Sequence, residues 1–150
     1  MLKNIPSIIS PELMYALMNM GHGDEICFGD ANFPADSMGQ RVIRADGHKI
    51  TELLEAVLEL MPLDIFVDQP VALMDAPAGD EPGVWKKYDE IIKRKDFTGG
   101  FKNGFDKVER FAFYDRAREC YAVVATGESE DVYKRQGFLL HICCRVPKAV

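Results

Sequence analysis

His22 stands between two glycines in Gly21-His22-Gly23-Asp24-Glu25, and Asp30 follows a short apolar run a little further on. An imidazole and a carboxylate are the side-chain types that exchange protons near neutral pH. Glycines on both sides leave the imidazole uncrowded and let the backbone approach a ligand closely. Asp30 comes just after Ile26-Cys27-Phe28, where a buried strand is expected to end. Ligands of open α/β sheets bind at such carboxyl ends. Taken alone, a histidine after a helix is more often an ordinary turn or capping residue. His22, Asp24 and Asp30 also offer nitrogen and oxygen ligands, but their spacing matches no usual metal motif. Cys27 lies inside the apolar strand, where a thiol stays protonated and inert.

A second polar and aromatic cluster is Arg110-Phe111-Ala112-Phe113-Tyr114-Asp115-Arg116-Ala117. Guanidinium and phenol groups hydrogen-bond vicinal hydroxyls, and aromatic faces cover the apolar face of a sugar. The plainer alternative makes Phe111 and Phe113 core residues and Arg116 a surface charge. Thr126-Gly127-Glu128 reads as the turn that closes a strand.

These groups need a scaffold. Ser10-Pro11-Glu12 has the residue types of a helix start: a capping hydroxyl, a proline suited to the first turn and an acid at the positive end of the dipole. Leu13, Leu17 and Met20 give that helix an apolar face, and Gly21 stops it. A strand is expected over 25–28, a loop over 31–39 and a strand over 41–44, with a turn at Asp46-Gly47. Thr51 is expected to cap a second helix, which buries Leu53, Leu54, Val57, Leu58 and Met61 and ends at Pro62. Further elements are a strand over 70–74, a loop over 75–83, helices over 84–94 and 111–119, and a strand over 121–125. The segment 97–105 carries Gly99, Gly100 and Gly104 without periodicity, which predicts a mobile, poorly packed loop. Alternating strands and helices point to one layered α/β domain. No linker divides the 150 residues.

The bulk composition narrows the function classes. Hydrophobic residues make up 47% of the chain, well above the range of disordered proteins. The net charge is −6, unlike a general nucleic-acid binder, which needs a basic surface. No run approaches the ~18 apolar residues of a membrane helix, and the N-terminus lacks a signal-peptide pattern. The four cysteines, Cys27, Cys120, Cys143 and Cys144, fit neither a zinc pattern nor a disulfide framework. Reduced thiols in a cytoplasmic protein are the expectation.

Several segments, in order, resemble the ribose pyranase/L-fucose mutarotase family. They are Gly21-His22-Gly23-Asp24-Glu25-Ile26, Asp30-Ala31 with Pro34, and Thr126-Gly127-Glu128. The stretches 37–47 and 110–117 are similar to the fucose branch specifically. The resemblance covers roughly residues 1–128. It implies a single three-layer α/β/α domain with a mixed sheet, and cofactor-free interconversion of the anomers of a monosaccharide, with no metal. It also implies a ring-shaped homo-oligomer, typically a decamer, with sites near subunit contacts. By position, His22 matches the family's catalytic histidine, and Asp30 and Arg110 match sugar-binding residues. The related activities that the resemblance leaves open are pyranose–furanose exchange on ribose and sugar binding without catalysis.

One departure stands out. The family follows Thr-Gly-Glu with Tyr-x-Asn, which contacts the sugar, and then with a short apolar strand. Here Tyr133 falls one position late, and no asparagine occurs after Asn103. Tyr133 is therefore a displaced candidate for sugar contact. The stretch 129–150 reads as an atypical tail, expected to be loosely packed after Gln136 and to weaken function.

Overall fold

Ile26, Cys27 and Phe28 are wholly buried, so the strand they form is covered on both faces, as strands of parallel sheets are. In a computed structural model, which describes residues 2–76, 81–129 and 141–146, that strand is β1 (Glu25–Gly29). The described residues form, in chain order, α1 (Pro11–Asn19), β1, α2 (Ala35–Met38), β2 (Val42–Ala45), α3 (Ile50–Leu58) and β3 (Val71–Met74). There follow α4 (Val84–Lys95), β4 (Asp106–Val108), α5 (Arg110–Glu119), β5 (Ala122–Thr126) and β6 (His141–Arg145). The sheet order is β2-β5-β1-β6-β3-β4. β2, β5 and β1 are parallel, as are β3 and β4; β6 runs antiparallel between β1 and β3.

The alternation of side chains along β1 sorts the core into two layers. Ile26 and Phe28 pack with Val124 and Leu73 under α1, α3 and α4, through residues such as Leu13, Leu54 and Ile92. Cys27 packs with Val123 and Ala72 under α2 and α5, through Ala35, Phe113 and Ala117. The result is the α/β/α arrangement with a mixed sheet that the sequence predicts.

Five local expectations are corrected. Thr51 does not cap α3, which begins at Ile50 with Lys49 as its cap residue. The Glu52 carboxylate instead reaches back to accept the Lys49 N–H at 3.0 Å. The segment 31–39 contains the short α2, and Arg110 opens α5 rather than preceding it. The segment 97–105 is anchored at Gly100 and Phe101, although Phe97 is exposed. One oxygen of Asp96 accepts from the Thr98 N–H, Thr98 hydroxyl and Gly99 N–H, and the other from the Phe101 N–H at 2.8 Å. Phe101 is buried against Phe105, with ring centroids 4.9 Å apart. Gly100 is pressed so close that an added Cβ would meet the Asp64 carbonyl oxygen at 2.8 Å. The described part of the tail is not loose either. Residues 141–145 supply an interior strand, and Cys144 is wholly buried within it.

Candidate active site

α1 ends at Asn19, and a turn then carries the chain into β1. The Asp24 N–H donates to the Gly21 carbonyl at 3.0 Å, and the Asp24 carboxylate accepts the Gly21 N–H at 2.7 Å. Gly23 has φ 82°, a left-handed value that side chains rarely tolerate. His22 is exposed at the tip of this turn. The turn is fastened to the chain just beyond β6: Gly23 N–H donates to the Val146 carbonyl at 3.2 Å, and Val146 N–H to Asp24 at 3.0 Å.

Asp30 lies immediately after β1 and is almost fully buried. One of its carboxylate oxygens accepts the Asn32 N–H at 2.8 Å, and its carbonyl accepts the Phe33 N–H at 3.1 Å. These bonds fold the chain into a tight bend. The bend brings Phe33 against Tyr114 of α5, with ring centroids 5.9 Å apart.

α5 starts beside this bend. Glu109 caps it by accepting the Phe111 and Ala112 N–H groups. The exposed Arg110 side chain turns along the helix to Tyr114, one turn on. Its Nε lies 3.3 Å from the Tyr114 hydroxyl, and its guanidinium carbon lies 5.7 Å from the ring centroid. Phe111 is 71% exposed on the same turn, 6.5 Å from Tyr114. The Asp30 bend thus meets α5 through Phe33 and Tyr114, and Tyr114 in turn holds Arg110, with the exposed Phe111 ring beside it. The Arg110–Tyr114 pair was open to sequence reasoning through its i, i+4 spacing. Phe33 was not, because its contact depends on the bend at Asp30.

His22 does not join this group within one chain. It precedes β1, while Asp30 follows it. The five residues of β1 span roughly 16 Å at about 3.3 Å each. The wholly buried Ile26, Cys27 and Phe28 fill that interval, so no ligand can lie between the two ends of one strand. Around the His22 end a charged network forms instead. Arg116 binds Glu25 at 2.7 and 3.1 Å and Asp106 at 2.8 Å. Arg145 lies 3.7 Å from Glu25 and 3.3 Å from the wholly buried Asp64. Arg116, a surface charge in the plainer sequence reading, thus ties α5 to β1 and β4.

Tyr133 lies outside the described residues. Among the described residues, no group of three or more His, Cys, Asp or Glu side chains could hold a metal ion. None of their helices is long and apolar enough to cross a membrane. Cys27, Cys120 and Cys144 are buried. Burial, with the Glu25 carboxylate nearby, pushes the Cys144 thiol far above its usual pKa.

Residues 3–132 match the family model described as the RbsD/FucU transport protein family. The fucose mutarotase of Homo sapiens is 50% identical over 136 residues, covering 85% of this chain and 86% of that protein. An L-fucose mutarotase of Actinobacillus pleuropneumoniae serotype 5b is 48% identical over 130 residues, covering 85% and 88%. The fold is similar to that of the Streptococcus pneumoniae fucose mutarotase solved in complex with L-fucose. That match has a TM-score of 0.84 and 39% identity, over 99% of this chain and all of the other. On its sequence and its fold alike, this chain belongs to the RbsD/FucU family.

Proposed function

We propose that this protein is an L-fucose mutarotase, which interconverts the α and β anomers of L-fucose by opening and reclosing the ring. The observation that carries the reading is the identity of about half to relatives named for that activity, sustained over 85% of the chain. Opening a hemiacetal breaks the bond between C1 and the ring oxygen. A base removes the proton of the anomeric hydroxyl, whose oxygen becomes the carbonyl, while an acid protonates the ring oxygen. Rotation about the C1–C2 bond and the reverse proton transfers close the ring with the other configuration. No electron leaves the sugar, so the chemistry requires only proton transfer.

His22 is the principal acid/base group in this reading, since an imidazole serves in either direction near neutral pH. Asp30 and Arg110 hold sugar hydroxyls, and Tyr133 is a further sugar contact. The separation of His22 from Asp30 along β1 favours a site completed between copies, in which His22 of one protomer faces Asp30 and Arg110 of its neighbour. A closed ring, such as a decamer, supplies that contact to every protomer. Four cysteines whose spacing fits no disulfide framework support a cytoplasmic setting.

Saturation transfer between the anomeric proton resonances of L-fucose tests the function. Exchange that rises in proportion to protein concentration is the expected result. Sugar binding without faster exchange would mark a non-catalytic relative instead.

A further inference from the structure

The ladder between β1 and β5 ends at the pair Gly29 and Ala125. One residue later a side chain continues it. The Thr126 hydroxyl donates to the Gly29 carbonyl at 2.9 Å and accepts the Glu128 N–H at 3.2 Å. Thr126 is 2% exposed, so water cannot replace either bond. The Glu128 carbonyl in turn accepts the Ala31 N–H at 3.0 Å. Asp30 is thereby held at both neighbours: Gly29 through the Thr126 hydroxyl, and Ala31 through Glu128.

The other side of the turn is just as constrained. Gly127 N–H donates to the His48 carbonyl at 2.9 Å, and an added Cβ there would lie 2.0 Å from the Asp46 carbonyl oxygen. The turn 126–128 is therefore wedged between the bend at Asp30 and the turn after β2. From this geometry we infer that Thr126 is a positioning residue for sugar binding: its buried hydroxyl fixes the bend that aims the Asp30 carboxylate. The inference rests on the reading of Asp30 as a sugar-binding residue. Thr126 touches no substrate and acts only through that bend. Loss of its hydroxyl lets the carboxylate drift, which weakens affinity without altering proton transfer at His22.

The test compares Thr126→Val, which keeps the shape and removes the hydroxyl, with Thr126→Ser, which keeps the hydroxyl. Fucose affinity and the exchange rate at saturating fucose are measured on the assembled protein. The valine variant is expected to bind fucose about three- to tenfold more weakly, the loss typical of one hydrogen bond. Its saturated exchange rate stays near that of the original protein, and the serine variant recovers the affinity. Unchanged affinity in the valine variant overturns the inference, as does equal loss in valine and serine. If the valine variant does not fold, Thr126→Ala replaces it in the same comparison, and failure of both to fold makes the hydroxyl structural and overturns the inference. Asp30→Asn separates the two levels. If it keeps full affinity, the reading of Asp30 fails and this inference with it. If it weakens binding while Thr126→Val does not, only the role of Thr126 fails.

Discussion

His22 and Asp30 lie beyond opposite ends of β1, with the wholly buried Ile26, Cys27 and Phe28 between them. If His22 is the acid/base residue and Asp30 a sugar-binding residue, as proposed, the two cannot serve one monosaccharide within a single chain. The account therefore predicts self-association. Light scattering at micromolar concentration should return a closed oligomer of many protomers. A monomer would leave each site without its histidine.

The atypical tail has two separable effects. Its described part forms β6 between β1 and β3, so it contributes to the sheet. On the proposed reading, its sugar contacts would be weakened, since Tyr133 falls one position late and no asparagine follows Asn103. A chimera that replaces 129–150 with a family-type tail carrying Tyr-x-Asn should keep the fold and gain affinity. One restored hydrogen bond, about 0.5–1.5 kcal/mol, corresponds to a roughly three- to tenfold tighter fucose dissociation constant. Equal affinity in chimera and original, by titration calorimetry, would show the present tail to be adequate.

Asp96 organises the segment 97–105 through four accepted hydrogen bonds. Asp96→Ala removes all of them and frees the Phe101 side chain from its seat. A loss of about 2 kcal/mol of stability is expected, the scale of hydrogen bonds to a charged acceptor. Urea denaturation measures it. A shift within experimental error would return the segment to the mobile loop expected from its glycines.

The buried Cys144 thiol makes stability depend on alkaline pH. Its folded-state pKa lies above its ordinary value of 9.0, chiefly through burial. A raised pKa contributes stability that is fully present below the unfolded value and lost as the pH climbs past it. Wild-type protein should therefore lose more urea resistance above pH 9.0 than Cys144→Ala does, each relative to its own value at neutral pH. Parallel decline in the two proteins would contradict this. Below that pH, a thiol reagent should leave Cys27, Cys120 and Cys144 unmodified in the folded protein, as peptide mass mapping reads directly.

Much of the scaffold was legible because its signals are local. Ser10 does cap α1, its side chain accepting the Leu13 N–H at 3.1 Å, and Leu53, Leu54, Val57 and Leu58 are all buried as their helical spacing requires; Met61 is buried too, but α3 ends at Leu58, short of the expected stop at Pro62. What escaped depends on contacts distant in sequence. β4 has three residues on an edge, too few for any periodicity. The glycines of 97–105 suggested looseness, but Gly100 serves a close approach to the Asp64 backbone. Thr126-Gly127-Glu128 looked like a simple turn, because no local pattern reveals a hydroxyl bonded to Gly29 across the sheet. At the site, Asp30 stands just past the end of β1, where the sequence placed it; its pairing with Arg110 came only from the family resemblance. The strand expected over 25–28 already lay between His22 and Asp30; what the sequence did not supply is how a second copy would bring the two together.

The most direct measurement is fucose anomer exchange in mixed oligomers. His22→Ala should slow exchange about a hundredfold or more, the scale of losing a general acid/base, with circular dichroism unchanged. Asp30→Asn should also be impaired at subsaturating fucose. When the two variants are unfolded together and reassembled in equal amounts, the account predicts recovery to about a quarter of the wild-type rate, because random closed assembly sets an intact His22 against an intact Asp30 at about one junction in four. A mixture no faster than the variants assembled apart would contradict a site shared between copies.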